Sequence, residues 1–195
     1  MWKFYLIIIS NTLNLNTNQV AEKLGLKVKV SNPINFLSAQ KSEGISIGII
    51  NDNIVIVSDE LVFDFFEKDA KKAELEFVKL FSESKVTVLV ANSTVNLYGF
   101  CLIENSKRIR VKSGADGEIY VDFGKPLSYE LQLSAQKIFS DDELQEIAKE
   151  NGKDGLQRIL DNEKGVRTTL HLEEMLLGKA DIVSKIILTN YINKK

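Results

Sequence analysis

Residues 97–124 read "LYGFCLIENSKRIRVKSGADGEIYVDFG". Apolar and polar residues alternate along three runs, and two short polar segments, Asn105-Ser106 and Ser113 to Gly117, separate them. A period of two belongs to β-strands, whose successive side chains point to opposite faces. Asn105-Ser106 sits where a two-residue hairpin turn is expected. The stretch therefore predicts a three-stranded antiparallel meander. Its simplest register sets Glu104 beside Lys107, Leu102 beside Ile109 and Phe100 beside Val111. Across the second turn Lys112 meets Glu118, Arg110 meets Tyr120 and Arg108 meets Asp122. One face is then Phe100, Leu102, Ile109, Val111, Ile119 and Val121, which reads as core. The other carries Gly99, Cys101, Ile103, Arg108, Arg110, Lys112, Glu118, Tyr120 and Asp122. A slip of one residue would bury the ions and expose the aliphatics, so it is disfavoured.

The same period extends upstream. "MWKFYLIIIS" at the start reads as a buried strand rich in aromatic and β-branched residues. "GISIGIINDNIVIVS", residues 44–58, reads as a hairpin turning at Asp52-Asn53, with Ile50 opposite Val55 and Ile49 opposite Ile56. Both of its faces are apolar, which suits strands in the middle of a sheet covered on both sides. "KVTVLVAN", residues 85–92, is a further strand. Between the strands, "NTNQVAEKLGL" predicts a short helix capped by Asn16 or Thr17 and stopped at Gly25. "SNPINFL" predicts a loop around Pro33. Residues 58–83 predict helix in two pieces, the first capped by Ser58, where Phe63, Phe65 and Phe66 fit a strand as well, and the second capped by Asp69, with Ala73, Phe77, Leu80 and Phe81 on one face.

Past Pro126 the punctuation becomes helical. Ser140-Asp-Asp-Glu143 is a capping box, in which each side chain takes a backbone N–H of the other's turn. Apolar stripes then predict three segments, ending at Gly152, near Gly165 and at Gly178. The tail "DIVSKIILTNY" fits helix or strand. Residues 1–125 carry 15 basic and 15 acidic side chains, and no Pro-, Gly- or Ser-rich linker separates them from the rest. The expected fold is a single α+β domain, residues 1–195. Its sheet, mixed or mainly antiparallel with hairpins, occupies 1–125, and a helical region at 126–195 packs on it.

Composition removes several functions. A formal net charge of −2 gives no chain-wide footprint for nucleic acid. One cysteine forbids an internal disulfide and suits a reducing cytoplasm. One histidine leaves too few ligands for a His/Cys zinc site, so no metal and no cofactor is expected. The first apolar run lacks a basic leader and is far shorter than the roughly 20 residues of a membrane span. Asp122-Phe123-Gly124 matches a kinase magnesium motif by three letters, but the other kinase motifs are absent. "SGADGE" has neither EF-hand spacing nor a phosphate-loop pattern. Cys101 with His171 is a pair only because each is the single residue of its type, and Cys101 lies mid-strand, where nothing lowers its pKa. Asp141, Asp142, Glu143 and Glu146 complement a helix start without a metal. Glu173 and Glu174, being adjacent, point to different sides of a helix. Residues 98–127 resemble hairpin-plus-"DFG.PL" segments of uncharacterised bacterial proteins, a likeness that implies no activity.

The charged ladder at 108–122 has two readings. Opposite charges across strands stabilise by roughly 0.2–1 kcal/mol per pair and help define register. The same Arg108, Arg110 and Lys112 beside Tyr120 can form a shallow anion- or partner-binding face. The expected function is a non-catalytic, bacterial, cytoplasmic protein-binding module. Arg108, Arg110 and Tyr120 would be its anchors, with Glu118 and Asp122 holding the Arg side chains. The rival expectation is a small-ligand or phosphate-binding protein, or an enzyme, with a pocket between the sheet and the C-terminal helices.

Overall fold

The computed structural model describes residues 3–10, 15–26, 33–179, 183 and 185–191. Among the described residues the chain is α+β: a nine-stranded antiparallel sheet made of hairpins, with a long C-terminal helix packed on it. The strands are β1 (Lys3–Ser10), β2 (Ile34–Asn35), β3 (Ile45–Ile50), β4 (Asn53–Val57), β5 (Lys85–Asn92), β6 (Leu97–Glu104), β7 (Lys107–Ala115), β8 (Glu118–Gly124) and β9 (Ile187–Tyr191). Their order across the sheet is β2-β9-β3-β4-β1-β5-β6-β7-β8.

Both faces of the sheet are covered, so the central strands are apolar on both sides. In β1 the residues from Phe4 to Ile9 are all buried. Tyr5, Ile7 and Ile9 belong to one core layer and Phe4, Leu6 and Ile8 to the other. The first layer includes Val20 and Ala21 of α1 (Thr17–Lys23), Val62 of α3 (Asp59–Val62), Phe65 of a 3-10 turn (Phe63–Phe66), and Phe77 and Val78 of α4 (Lys72–Leu80). The second includes Phe36 of α2 (Phe36–Ala39) and Leu172 and Leu177 of α6 (Asp141–Leu177). Between β8 and α6 lies α5 (Ser128–Ala135).

Local signals place several elements as read. Asn16 caps α1 in a capping box with Gln19, Ser58 caps α3, and Ser140 with Glu143 opens α6. The β3–β4 hairpin turns one residue earlier than expected, at Asn51-Asp52, both in positive φ. Ile50 faces Asn53 and Ile49 faces Ile54, instead of Val55 and Ile56. That shift of two positions in the pairing preserves which side chains share a face, so the apolar pattern does not resist it.

Other elements differ from expectation. Within "SNPINFL", Ile34–Asn35 pairs with β9 and Phe36 opens α2 under an Asn35 cap; residues 31–32 lie outside the described residues. Lys71, not Asp69, precedes α4, and the buried face of α4 is Glu74, Phe77 and Val78. Leu80 is exposed and Ala73 lies on the exposed side. The helical segments after Ser140 form one helix, broken in backbone geometry only at Gly152. Gly165 does not end it. Gly165 lets α6 press on the Tyr98 ring, where a Cβ would collide. In the tail, Ile187–Tyr191 is strand β9, inserted between β2 and β3. Among the described residues no helix is long and apolar enough to cross a membrane.

Candidate functional site

The meander of residues 97–124 carries two β-bulges, and these decide where its charged side chains go. β6 and β7 begin in the expected register, Glu104 opposite Lys107 around an Asn105-Ser106 turn. Then Ile103 meets Arg108 while Leu102 meets Arg110, so Ile109 is an extra residue on β7. Further on, Gly114 meets Ile119 while Ser113 meets Val121, which makes Tyr120 the extra residue on β8. Each bulge inserts one residue and reverses the facing of everything beyond it. The expected pairings of Lys112 with Glu118, Arg110 with Tyr120 and Arg108 with Asp122 are replaced by Lys112 with Asp122, Arg110 with Gly124 and Ala115 with Glu118. Gly124 answers to the first bulge. It has φ 87° and lies so close to the Ile109 carbonyl that a Cβ has no room. The Asp-Phe-Gly glycine therefore has a backbone reason.

The single charged face expected from alternation is accordingly divided between two faces. Arg108 shares a side with Ile103 and reaches α4 and the 3-10 turn. Its Nε donates to Glu74 Oε1 at 2.7 Å, Nη2 donates to Glu74 Oε2, and Nη1 donates to the Glu67 carbonyl at 2.7 Å. Arg110 lies on the opposite side, over the Phe100 ring at 5.8 Å, and is 1% exposed. Its Nε and Nη2 donate to both Glu130 oxygens at 2.9 and 2.7 Å, while Nη1 donates to Asp122 and to the Phe123 carbonyl at 2.9 Å. Burial opposes the charged form of both guanidiniums, but the carboxylate hydrogen bonds outweigh it and hold both above their ordinary pKa. In each case one carboxylate binds Nε and Nη2 in bidentate fashion, and Nη1 finds its acceptors elsewhere.

Asp122 holds Arg110, as expected. Glu118 holds neither arginine; it closes the hairpin opposite Ala115, is exposed, and makes no ion pair among the described residues. The core assignment changes too. Cys101, Ile103, Val111 and Val121 join the layer under α4, while Phe100 and Leu102 belong to the layer under α6. Ile109 and Ile119 are exposed.

Two concavities flank β7 and β8, one on each face. On the α4 side, Phe63, Phe66, Val90, Leu97 and Tyr120 line a groove of about 390 Å³. Tyr120 is 57% exposed, Phe123 52% and Phe63 47%. On the other side a cleft of about 150 Å³ runs between the sheet and the helices α5 and α6, lined by Lys112, Asp161, Lys164 and Thr168 beside the Arg110 cluster. Tyr98 lies under α6 with its hydroxyl buried and unpartnered. Burial, with Asp161, Asp122 and Glu130 nearby, pushes that phenol well above its ordinary pKa.

The remaining candidates are explained by packing. Burial pushes the Cys101 thiol far up, and its layer is the one opposite α6, which carries His171. No dyad forms. His171 instead stacks on Tyr129 of α5, with ring centroids 3.7 Å apart. Among the described residues no group of His, Cys, Asp and Glu is arranged to hold a metal.

Glu74 and Glu130 escaped the reading of the sequence. For Glu74 a signal exists: positions 74, 77, 78 and 81 make a helical stripe, and an acid inside an apolar stripe asks for a buried cation. Glu130 carries no such mark in its segment. The chain matches no protein-family model, and it matches neither a curated protein nor a solved structure.

Proposed function

We propose that the protein is a non-catalytic, cytoplasmic interaction module of a bacterium, and that a protein partner docks on the α4 side of β7 and β8, with Tyr120 as the central anchor. The observation carrying this reading is the exposure of Tyr120 and Phe63, which line one groove with Val90 and Leu97, and of Phe123 further along β8. Exposed aromatics beside a pocket are the residues that dominate binding energy at interfaces. Arg108 serves this face from beneath: its donors go to Glu74 and to the Glu67 carbonyl just past the 3-10 turn, so it fixes the groove wall. Asp122, Arg110 and Lys112 belong to the opposite face and support β8 from there.

A photo-crosslinking amino acid placed at position 120 in the source cells tests this reading. Position 175 on α6, where Met175 is 61% exposed, serves as the control. One discrete adduct from position 120 and none from 175 is expected. Tyr120→Ala should then weaken binding of the identified partner at least tenfold. Its melting temperature should stay within about 2 °C, since an exposed side chain contributes little to stability. Equal labelling from both positions would end the proposal.

A further inference from the structure

We propose that the docking partner inserts a tyrosine side chain into the groove on the α4 side of the sheet, with its phenol hydrogen-bonded to Ser113. The inference rests on the docking reading above and specifies the residue that the partner brings.

The floor of the groove comes from three neighbouring strands. Val90 of β5 stands opposite Gly99 of β6, and Gly99 stands opposite Ser113 of β7. Ser113 follows Val111 by two positions with no bulge on β7 between them, so both face α4. Gly99 adds no side chain to the floor, and the Phe66 ring closes over it; a Cβ there would come within 2.9 Å of Phe66 Cε1. The hollow is bounded by apolar surface, with Val90 below and Phe63, Phe66, Leu97 and Tyr120 around it.

Ser113 is the exception. It is 3% exposed and lines the groove, yet its hydroxyl makes no hydrogen bond among the described residues. A hydroxyl has one donor and two acceptor sites, and leaving them without partners at a buried position costs free energy that a bound polar group recovers. The neighbouring polar groups are otherwise placed. Glu67 and Lys68 are exposed, the Glu67 carboxylate takes the Lys71 ammonium at 2.9 Å, and both backbone carbonyls accept from Arg108.

This arrangement selects a side chain that is apolar along its length and polar at its tip. Phenylalanine and leucine leave Ser113 unsatisfied. Lysine would bring an ammonium with three donors to one hydroxyl, and taking that charge out of water is costly. Tryptophan carries its N–H on the flank of the indole and not at its far end. Tyrosine sets its ring among Phe63, Phe66 and Tyr120 and its O–H at the floor. The volume agrees: about 390 Å³ lies at the small end of ligand-sized pockets and has room for one ring with its adjacent backbone.

Chemical-shift titrations with N-acetyl-tyrosine amide and N-acetyl-phenylalanine amide test the assignment. The tyrosine compound should bind with Kd on the order of 1 mM. The phenylalanine compound should bind about fivefold more weakly, the loss of one hydrogen bond between neutral groups. Ser113→Ala should weaken the tyrosine compound alone, to the level of the phenylalanine one, whereas Tyr120→Ala should weaken both alike. Equal affinities in the natural chain, a preference that survives Ser113→Ala, or no saturable shift from either compound would overturn the assignment. The crosslink at position 120 judges the docking reading separately. A discrete adduct there with equal affinities for the two compounds would keep the docking surface and remove the tyrosine. Equal labelling from positions 120 and 175 would remove the partner itself, whatever the two compounds do.

Discussion

At the centre of the sheet β1 buries every residue from Phe4 to Ile9 between two helical layers, and its neighbours β4 and β5 are equally aliphatic. At the β7–β8 end, only Val121 of the seven β8 residues is buried, and Arg110 and Glu74 occupy core positions. The centre is held by non-directional burial, at roughly 1.5–3 kcal/mol per large aliphatic side chain. The end is held by ion pairs whose value depends on geometry, since a buried charge is tolerated only while its partners are in place. The centre can therefore absorb small errors, and the end cannot. Two bulges supply the geometry that the end requires, turning Arg108 toward α4 and Arg110 toward α5.

The largest test separates these two kinds of support. Glu130→Ala leaves the Arg110 guanidinium short of two acceptors and should cost about 4 kcal/mol in urea unfolding. The double substitution Arg110→Met with Glu130→Met removes both charges and should return stability to within about 1–2 kcal/mol of the natural chain. At the centre, Ile7→Ala should cost about 3 kcal/mol through lost burial and a cavity, and no single charge change should repair it. A double variant as unstable as Glu130→Ala would mean that the loss comes from the missing pair itself and not from a stranded buried charge.

A smaller effect tests the contact between α6 and the meander. Gly165→Ala gains helix propensity but drives a methyl group into the Tyr98 ring, for a net loss of about 2 kcal/mol. Gly152→Ala meets no neighbouring atom, and its φ of 69° predicts a loss of about 1 kcal/mol from backbone strain alone. Thermal unfolding of the two variants side by side should give that order, and a reversed order would show that α6 does not bear on Tyr98.

These contrasts also mark what could be read from the letters. The strands of the centre, the helix caps at Asn16, Ser58 and Ser140, and the Asn105-Ser106 turn announce themselves through local chemistry. The bulges at Ile109 and Tyr120 do not: the first turns Arg108 and Arg110 to partners distant in the chain, Glu74 being 34 residues from Arg108 and Glu130 20 from Arg110, and the second sets Asp122 opposite Lys112. Read by strict alternation, Arg108 and Arg110 must share a face; in the folded chain they stand on opposite sides. Gly165 misled for a related reason. A glycine inside a helical pattern reads as a stop, and only the arriving Tyr98 ring shows it to be a point of close packing. Of the six residues expected at one site, Lys112, Arg110 and Asp122 do come together, Arg108 and Tyr120 lie across the sheet from them, and Glu118 stands apart.

The smallest effect is set where α6 leaves the centre of the sheet. Leu172 and Leu177 are buried there, while Glu173 is half-buried, and burial together with Glu174 raises its carboxyl to about 7. Because the folded chain favours the protonated acid, the contribution of Glu173 to stability should be fully present below pH 4.5 and be lost as pH rises through about 7. Glu173→Gln should remove that slope and gain about 1 kcal/mol at pH 8, the partial exposure of the group having reduced the effect. Melting temperatures of both chains across pH 4 to 8 would converge at the acid end, and parallel curves would rule out Glu173 as their cause.

The position of β9 has a consequence for biosynthesis. Residues Ile187–Tyr191 lie between β2 and β3, so Ser46 waits for Asn190 across 144 positions of chain. As a ribosome releases the chain, the β3 edge that faces β9 stays open, and β2 has no strand beside it, until residues 187–191 emerge. The sheet closes last at its N-terminal hairpins, and during that interval a nascent chain presents a strand-shaped gap that another strand can fill.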